Sequence, residues 1–250
     1  MYGPGAGFAP PCCAWFCRWF PKMGQARVPP RCRHWKRSLP VIARWVATCA
    51  VIEGAALVGA RPAPASVTQI TEVPSLLATA CGGPGASARR CDRASLQSIN
   101  DARAIDGLAP MVLPSGYERL GLVEQLVDLT DLERAARGLP AWGGPDPTLD
   151  ELASRGVAAG ADPDGPVGTT WASNFASGPL TILQVDYEWV YNDGPGGTNA
   201  DCTAAGQRGC WEHRDNILRR WAGRVGAASR LGPGQRLVIA ELMVASDGSY

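Results

Sequence analysis

The residues best placed to do chemistry lie in the stretch Gly209-Cys210-Trp211-Glu212-His213-Arg214-Asp215-Asn216-Ile217-Leu218. His213 is one of two histidines, and the other, His34, belongs to an N-terminal segment expected to be removed or to sit apart from the fold. A site needing two imidazole ligands cannot then be assembled within one chain. His213 can act as a base if a nucleophile and an orienting acid converge on it, and Ser173 with Asp193 or Glu188 supplies those types. No Gly-x-Ser-x-Gly turn surrounds Ser173. The plainer role for His213 is a buried imidazole that locks the Trp211 to Leu218 turn by hydrogen bonding. Asp162 and Asp164 sit in Asp-Pro-Asp-Gly, a turn sequence rather than a calcium loop. No cofactor is expected, and a weak divalent-metal site would have only His213 and carboxylates to draw on.

These residues sit in a chain of two unlike parts. Residues 1–65 carry nine Lys and Arg against the single acid Glu53, a net of 9 − 1 = +8, whereas residues 66–250 carry fifteen Arg and twenty-two acids, a net of 15 − 22 = −7. An acidic body repels phosphate backbones, which argues against nucleic acid as a partner. The basic part reads as an export leader. Arg31, Arg33, Lys36 and Arg37 precede a largely apolar run from Val41 to Ala60, and Ala63-Pro64-Ala65 places a cleavage site before Ser66. Translation from Met23 would shorten the leader, and an uncleaved signal anchor would leave the body on the same outer face of the membrane. The body is thus expected to be secreted or extracytoplasmic, touching membrane only through an uncleaved leader.

Five of the nine cysteines fall in the leader, leaving Cys81, Cys91, Cys202 and Cys210. Four suit an oxidising compartment, and of three connectivities the short spacings favour Cys81 with Cys91 and Cys202 with Cys210. Neither pair has zinc-ligand spacing.

The elements that must position the site follow from periodicity. Residues 66–91 read as a flexible lead-in. A helix capped by Asp92 or Ser95 runs to Gly107, with Leu96, Ile99, Ala102 and Ile105 at helical spacing and Asn100 and Arg103 placed to bond a neighbouring loop. A second spans about Gly116 to Arg137, a third Leu149 to Ala159 and a fourth about Pro179 to Tyr191. Strands are expected at Thr169 to Ala176, Val225 to Ala228 and Arg236 to Ala245, with a long loop from Asn192 to Gln207. Helices early and strands late predict an α/β fold. No phosphate-binding glycine loop follows a strand.

In order, Ile99-Asn100-Asp101-Ala102-Arg103, Gly107-Leu108-Ala109-Pro110, Ser173-Asn174-Phe175-Ala176, Trp189 and His213-Arg214-Asp215-Asn216-Ile217-Leu218 resemble the CAP superfamily, also called SCP/TAPS. This is the secreted domain of cysteine-rich secretory proteins, venom antigens and plant pathogenesis-related proteins, and the likeness is greatest to its bacterial, actinobacterial branch. It covers roughly residues 92 to 245, making residues 92–250 the expected domain. The resemblance implies a CAP-type α/β/α three-layer sandwich with a small central sheet. In many relatives its cleft is lined by two histidines and two acids that can hold a divalent metal. Here His213 matches the second histidine, while Asp162 and Asp164 stand where the first is expected. Ser173 replaces the glutamate before Asn174, Asp193 with its neighbour Glu188 stands for the other acid, and Glu212 replaces a glycine. The resemblance therefore implies a cleft lined by His213, Glu212, Asn174, Ser173, Asp162 and Asp193, without the standard metal set.

Three functional readings follow. The first is a non-enzymatic envelope or extracellular module that binds a lipid, wall polymer or protein partner through the cleft. The tryptophans Trp142, Trp171, Trp189, Trp211 and Trp221 are compatible with it, although such residues more often anchor cores and loops. The second is a peptide or ester hydrolase using His213, Ser173 and a carboxylate. The third is a purely structural envelope protein, for which the disulfides and acidic surface suffice.

Overall fold

A computed structural model describes residues 74–246. The expected leader, its alternative start and the lead-in up to residue 73 lie outside these residues.

Strand β3 (Leu237–Ala245) organises the sheet because its sequence LVIAELMVA is apolar on both faces. It is the central strand, paired antiparallel to β1 (Trp171–Ser177) on one side and β2 (Gly223–Leu231) on the other. Helices cover both faces, so a near-continuous apolar run is favoured over alternation. Val238 and Ala240 pack with Ala153 and Val157 of α4 (Pro147–Ala159), and Leu242 and Val244 pack with its Leu149. On the opposite face Leu237 and Ile239 join the core built by α2 (Ala88–Ile105), α3 (Leu122–Ala136) and α5 (Ile182–Val190). Gly226 of β2 lets α4 approach closely, since a Cβ there would lie 2.3 Å from the Leu149 backbone carbonyl carbon. The result is a mixed α/β fold with six helices, counting α1 and α6 below, and a three-stranded antiparallel sheet among the described residues.

Several helices differ from the sequence pattern. Helix α2 begins at Ala88, after Ser87, rather than at the cap expected at Asp92 or Ser95, and α5 begins at Ile182 rather than Pro179, because Thr181 caps it by accepting from Gln184 N. The helix expected from Gly116 to Arg137 is broken: Tyr117–Arg119 make one 3-10 turn, Leu120 and Gly121 are extended, and α3 begins at Leu122. Glycine is a poor helix former, and the Gln125 amide donates to the carbonyls of Tyr117 and Leu120, satisfying the broken turn. Residues 75–82, expected within the flexible lead-in, form α1 (Ser75–Gly82). Its eight residues have too little periodicity to announce a helix. Tertiary structure holds it, through burial of Leu77, Ala80 and Cys81 and a disulfide from Cys81 to Cys91 of α2. Asn100 and Arg103 do bond a neighbouring loop: the Asn100 side chain accepts from Met111 N at 2.7 Å, and Arg103 Nε donates to Ala109 O at 2.9 Å.

A second disulfide joins Cys202 and Cys210. The two bridges are consistent with an extracellular protein in an oxidising, extracytoplasmic environment. No helix of the described residues is long and apolar enough to cross a membrane.

Candidate functional site

The site is built on α6 (Glu212–Ile217), a helix of six residues that could not hold itself in water and is fastened from three sides. From below, Asn174 of β1 donates through Nδ2 to His213 O at 3.3 Å, and Asn216 donates to Ser173 O and Asn174 Oδ1 at 2.9 and 3.1 Å. At its C-terminal end the fully buried Arg134 of α3 donates to Ile217 O and Arg219 O at 2.6 and 2.9 Å. The same guanidinium reaches Pro140 O and Trp221 O and lies 3.6 Å over the Trp142 ring. Carbonyls left open by the helix end are thus capped by a cation, the sign that its dipole favours.

At the other end, Trp211 adopts a left-handed backbone with φ of 65°, a conformation that costs a non-glycine residue about 1 to 3 kcal/mol. Its ring packs on Gly194, where a Cβ would fall 1.8 Å from the indole, and its amide donates to Asp193 O at 3.2 Å. The Arg214 guanidinium covers the ring at 4.1 Å. This packing sets the turn that aims His213 at Asp193.

Asp193 is fully buried, and its carboxylate accepts three hydrogen bonds. Its Oδ1 takes His213 Nδ1 at 2.6 Å and Asn199 Nδ2 at 2.7 Å, and its Oδ2 takes Arg214 N at 3.2 Å. An ionised carboxylate only accepts, so the ring proton of neutral His213 sits on Nδ1 and Nε2 keeps its lone pair. The imidazole lies parallel to the Trp189 indole, 6° from coplanar with centroids 5.8 Å apart. Burial opposes its charged form, but the hydrogen bond it donates to Asp193 and the negative charges of Asp193, Asp162 and Asp201 prevail and raise its pKa above 6.5.

His213 and Asp193 line a cavity of about 290 Å³ together with Glu188, Trp189, Asp162 and Asp201. Burial pushes the Glu188 carboxyl up to about 7, against the opposing pull of the Gln184 hydrogen bond and the Arg236 charge. No lysine or arginine lines the cavity. Asp162 and Asp201 in its lining are exposed, while Phe175 and Pro179 add apolar wall.

The structure thus brings His213, Asp193, Glu188 and Asp162 to one cavity. Asn174 lies beneath it, fully buried, holding the His213 backbone. Ser173 contributes its backbone carbonyl to Asn216 and does not line the cavity, and among the described residues no hydroxyl or thiol is hydrogen-bonded to His213. Glu212 is exposed outside the wall. Asp164 is likewise exposed and outside it. The divalent metal held by many CAP relatives has no matching ligand set here, because among the described residues no group of three or more His, Cys, Asp or Glu is placed to hold an ion.

Three participants escaped the sequence pattern. Asn199 donates to Asp193 Oδ1, Asp193 O and Gly209 O, tying the ends of the loop that the Cys202–Cys210 bridge closes. Asp201 reaches the rim only through that loop. Arg134 is one arginine among fifteen in the body, and its role depends on carbonyls more than eighty residues away. The Asn-x-Asp-Cys spacing beside Asp193 was the only local signal for the first two.

Compared with known proteins, the chain matches no family model, no curated protein and no solved structure.

Proposed function

We propose that this chain is an exported CAP-superfamily domain, with the α/β/α sandwich of that family, whose cleft beside His213 binds a ligand without breaking it. The observation that carries the reading is the construction of the cleft. Its imidazole is held between Asp193 and Trp189, and no hydroxyl or thiol is bonded to it as a nucleophile would be. Helices on both faces of a small antiparallel sheet and the order of the sequence landmarks support the family. Acidic rim groups beside Phe175, Pro179 and Trp189 suit an amphiphilic ligand that offers hydrogen-bond donors, such as a lipid, a wall-polymer fragment or a protein segment. The disulfides suit the extracytoplasmic setting.

A hydrolytic reading is favoured by one observation: the Asp193–His213 pair leaves Nε2 as a base for a water, with Glu188 near pH 7 as a proton donor. One experiment separates the two. Wild-type protein and His213→Ala are titrated with muropeptides and short-chain lipids by calorimetry, and the same mixtures are then weighed by mass spectrometry. Binding should occur with every ligand mass unchanged, and His213→Ala should keep the affinity within about threefold, as for loss of one neutral contact. Cleavage by the wild type that His213→Ala abolishes would establish the hydrolase instead.

A further inference from the structure

We propose that the groove between α1 and α2 is a docking surface for an anionic lipid bilayer, a role independent of what the cleft binds. The groove encloses about 310 Å³. Ala80 and Ala94 are buried in its floor, Leu76 stands on its edge half exposed, and Arg90 and Arg93 form its rim. Arg89 is exposed on the same helix one turn before Arg93. On the helix surface Arg93 is therefore the neighbour of both, at i,i+4 from Arg89 and i,i+3 from Arg90. Arg90 is exposed and donates one hydrogen bond to Gly85 O at 3.1 Å.

Charge picks the occupant. No acid lines the groove, and Asp92, the one acid within this arginine run, is half buried. The rest of the body is acidic: residues 74–246 carry fifteen Arg against twenty acids, 15 − 20 = −5. A local basic patch on such a body docks in one orientation, because charges more than a Debye length of about 8 Å from the surface are screened. Lipid phosphates meet the guanidiniums, while Leu76 offers an apolar side chain to the acyl boundary.

The test uses the full chain on vesicles of phosphatidylcholine and phosphatidylglycerol in a roughly three to one ratio, with backbone hydrogen exchange read at residues 75–97. The leader is common to every variant, so the difference between the groove variant and the distal control reports the groove. Protection is expected on the mixed vesicles and not on phosphatidylcholine alone. In Arg89→Gln/Arg90→Gln/Arg93→Gln the phosphatidylglycerol needed for half protection should rise on the order of a hundredfold, about fivefold per arginine. A distal control, Arg155→Gln/Arg208→Gln/Arg220→Gln, removes the same charge from other exposed sites and should behave as wild type. Unchanged exchange in β3 shows that the groove variant is folded, and Leu76→Glu gives a second, independent loss. The proposal fails if phosphatidylcholine alone protects equally, if the distal control loses as much, or if inorganic phosphate reproduces the protection and so reveals a small-anion site.

Discussion

The cleft beside His213 and the groove between α1 and α2 are of similar size, about 290 and 310 Å³, and opposite in charge and in construction. Acids ring the cleft, and its inner residues are buried: Asp193 and Asn174 are fully enclosed, and Arg134 spends its donors on four backbone carbonyls. Arginines rim the groove, where the functional side chains are exposed and one disulfide holds the two helices together. A site made of buried charges fails when one partner is removed, because the others are left unpaired in low dielectric. A site made of exposed charges on a covalently tied scaffold loses function before it loses structure. The contrast predicts that each region can be disabled without the other.

Arg134→Ala should have the largest effect. It strands the carbonyls of Pro140, Ile217, Arg219 and Trp221 and removes the cation over Trp142. A loss of about 3 kcal/mol or more is expected in urea unfolding, from the penalty of several unsatisfied buried groups. Hydrogen exchange should rise in residues 211–218 and stay low in α1. If α1 loosens as much as α6, the two regions are not independent. The converse variant, Cys81→Ser/Cys91→Ser, opens a short loop and should cost about 3 kcal/mol by the chain-entropy argument. Its exchange should rise in α1, with the His213 imidazole resonances unmoved.

Glu188→Gln probes the cleft with a smaller effect that depends on pH. In the folded protein this carboxyl holds its proton up to about 7, against a starting value of 4.5. An acid whose folded pKa is raised stabilises the fold most below its unfolded pKa, and that stability is lost as pH rises from 4.5 to about 7. Wild-type unfolding free energy should therefore fall by roughly 1 to 3 kcal/mol across that window beyond the fall in the Gln variant. Equal slopes for the two proteins would place Glu188 in ordinary solvent contact.

The same contrast explains what was legible in the sequence. Central strand β3, helix α4 and the two disulfide pairs are readable because each rests on a local signal: a continuous apolar run, a Gly160 stop, and short cysteine spacings. His213, Asp193 and Glu188 stood out by residue type, and the CAP resemblance pointed to one cleft for them; their meeting depended on Trp211 taking a left-handed backbone against Gly194. The pattern from Thr169 to Ala176 puts Ser173 on a strand, as β1 does, but alternation along a strand does not say which of its side chains reach His213. The groove was hidden altogether, since α1 has no helical signature without its disulfide and its buried Leu77.

The smallest effect tests how finely the cleft is set. Asn199 Nδ2 shares Asp193 Oδ1 with His213 Nδ1, at 2.7 and 2.6 Å. In Asn199→Ala the carboxylate loses one donor, so more of its charge is directed at the imidazole, and the His213 pKa should rise further above 6.5. A histidine with a raised folded pKa adds stability that is complete below its unfolded value and vanishes as pH climbs through the folded one. The variant should thus recover near pH 6 part of a loss of roughly 1 kcal/mol measured at pH 9. Only two histidines are present, so an imidazole titration by NMR reads the shift directly once His213→Ala has assigned the peaks. The opposite result is equally informative. Asn199 also bonds Asp193 O and Gly209 O, so a His213 pKa that falls would mean that the loop opens and carries Asp193 away. The Cys202–Cys210 bridge would then be too weak a pin for the cleft, and its rigidity would rest on one amide.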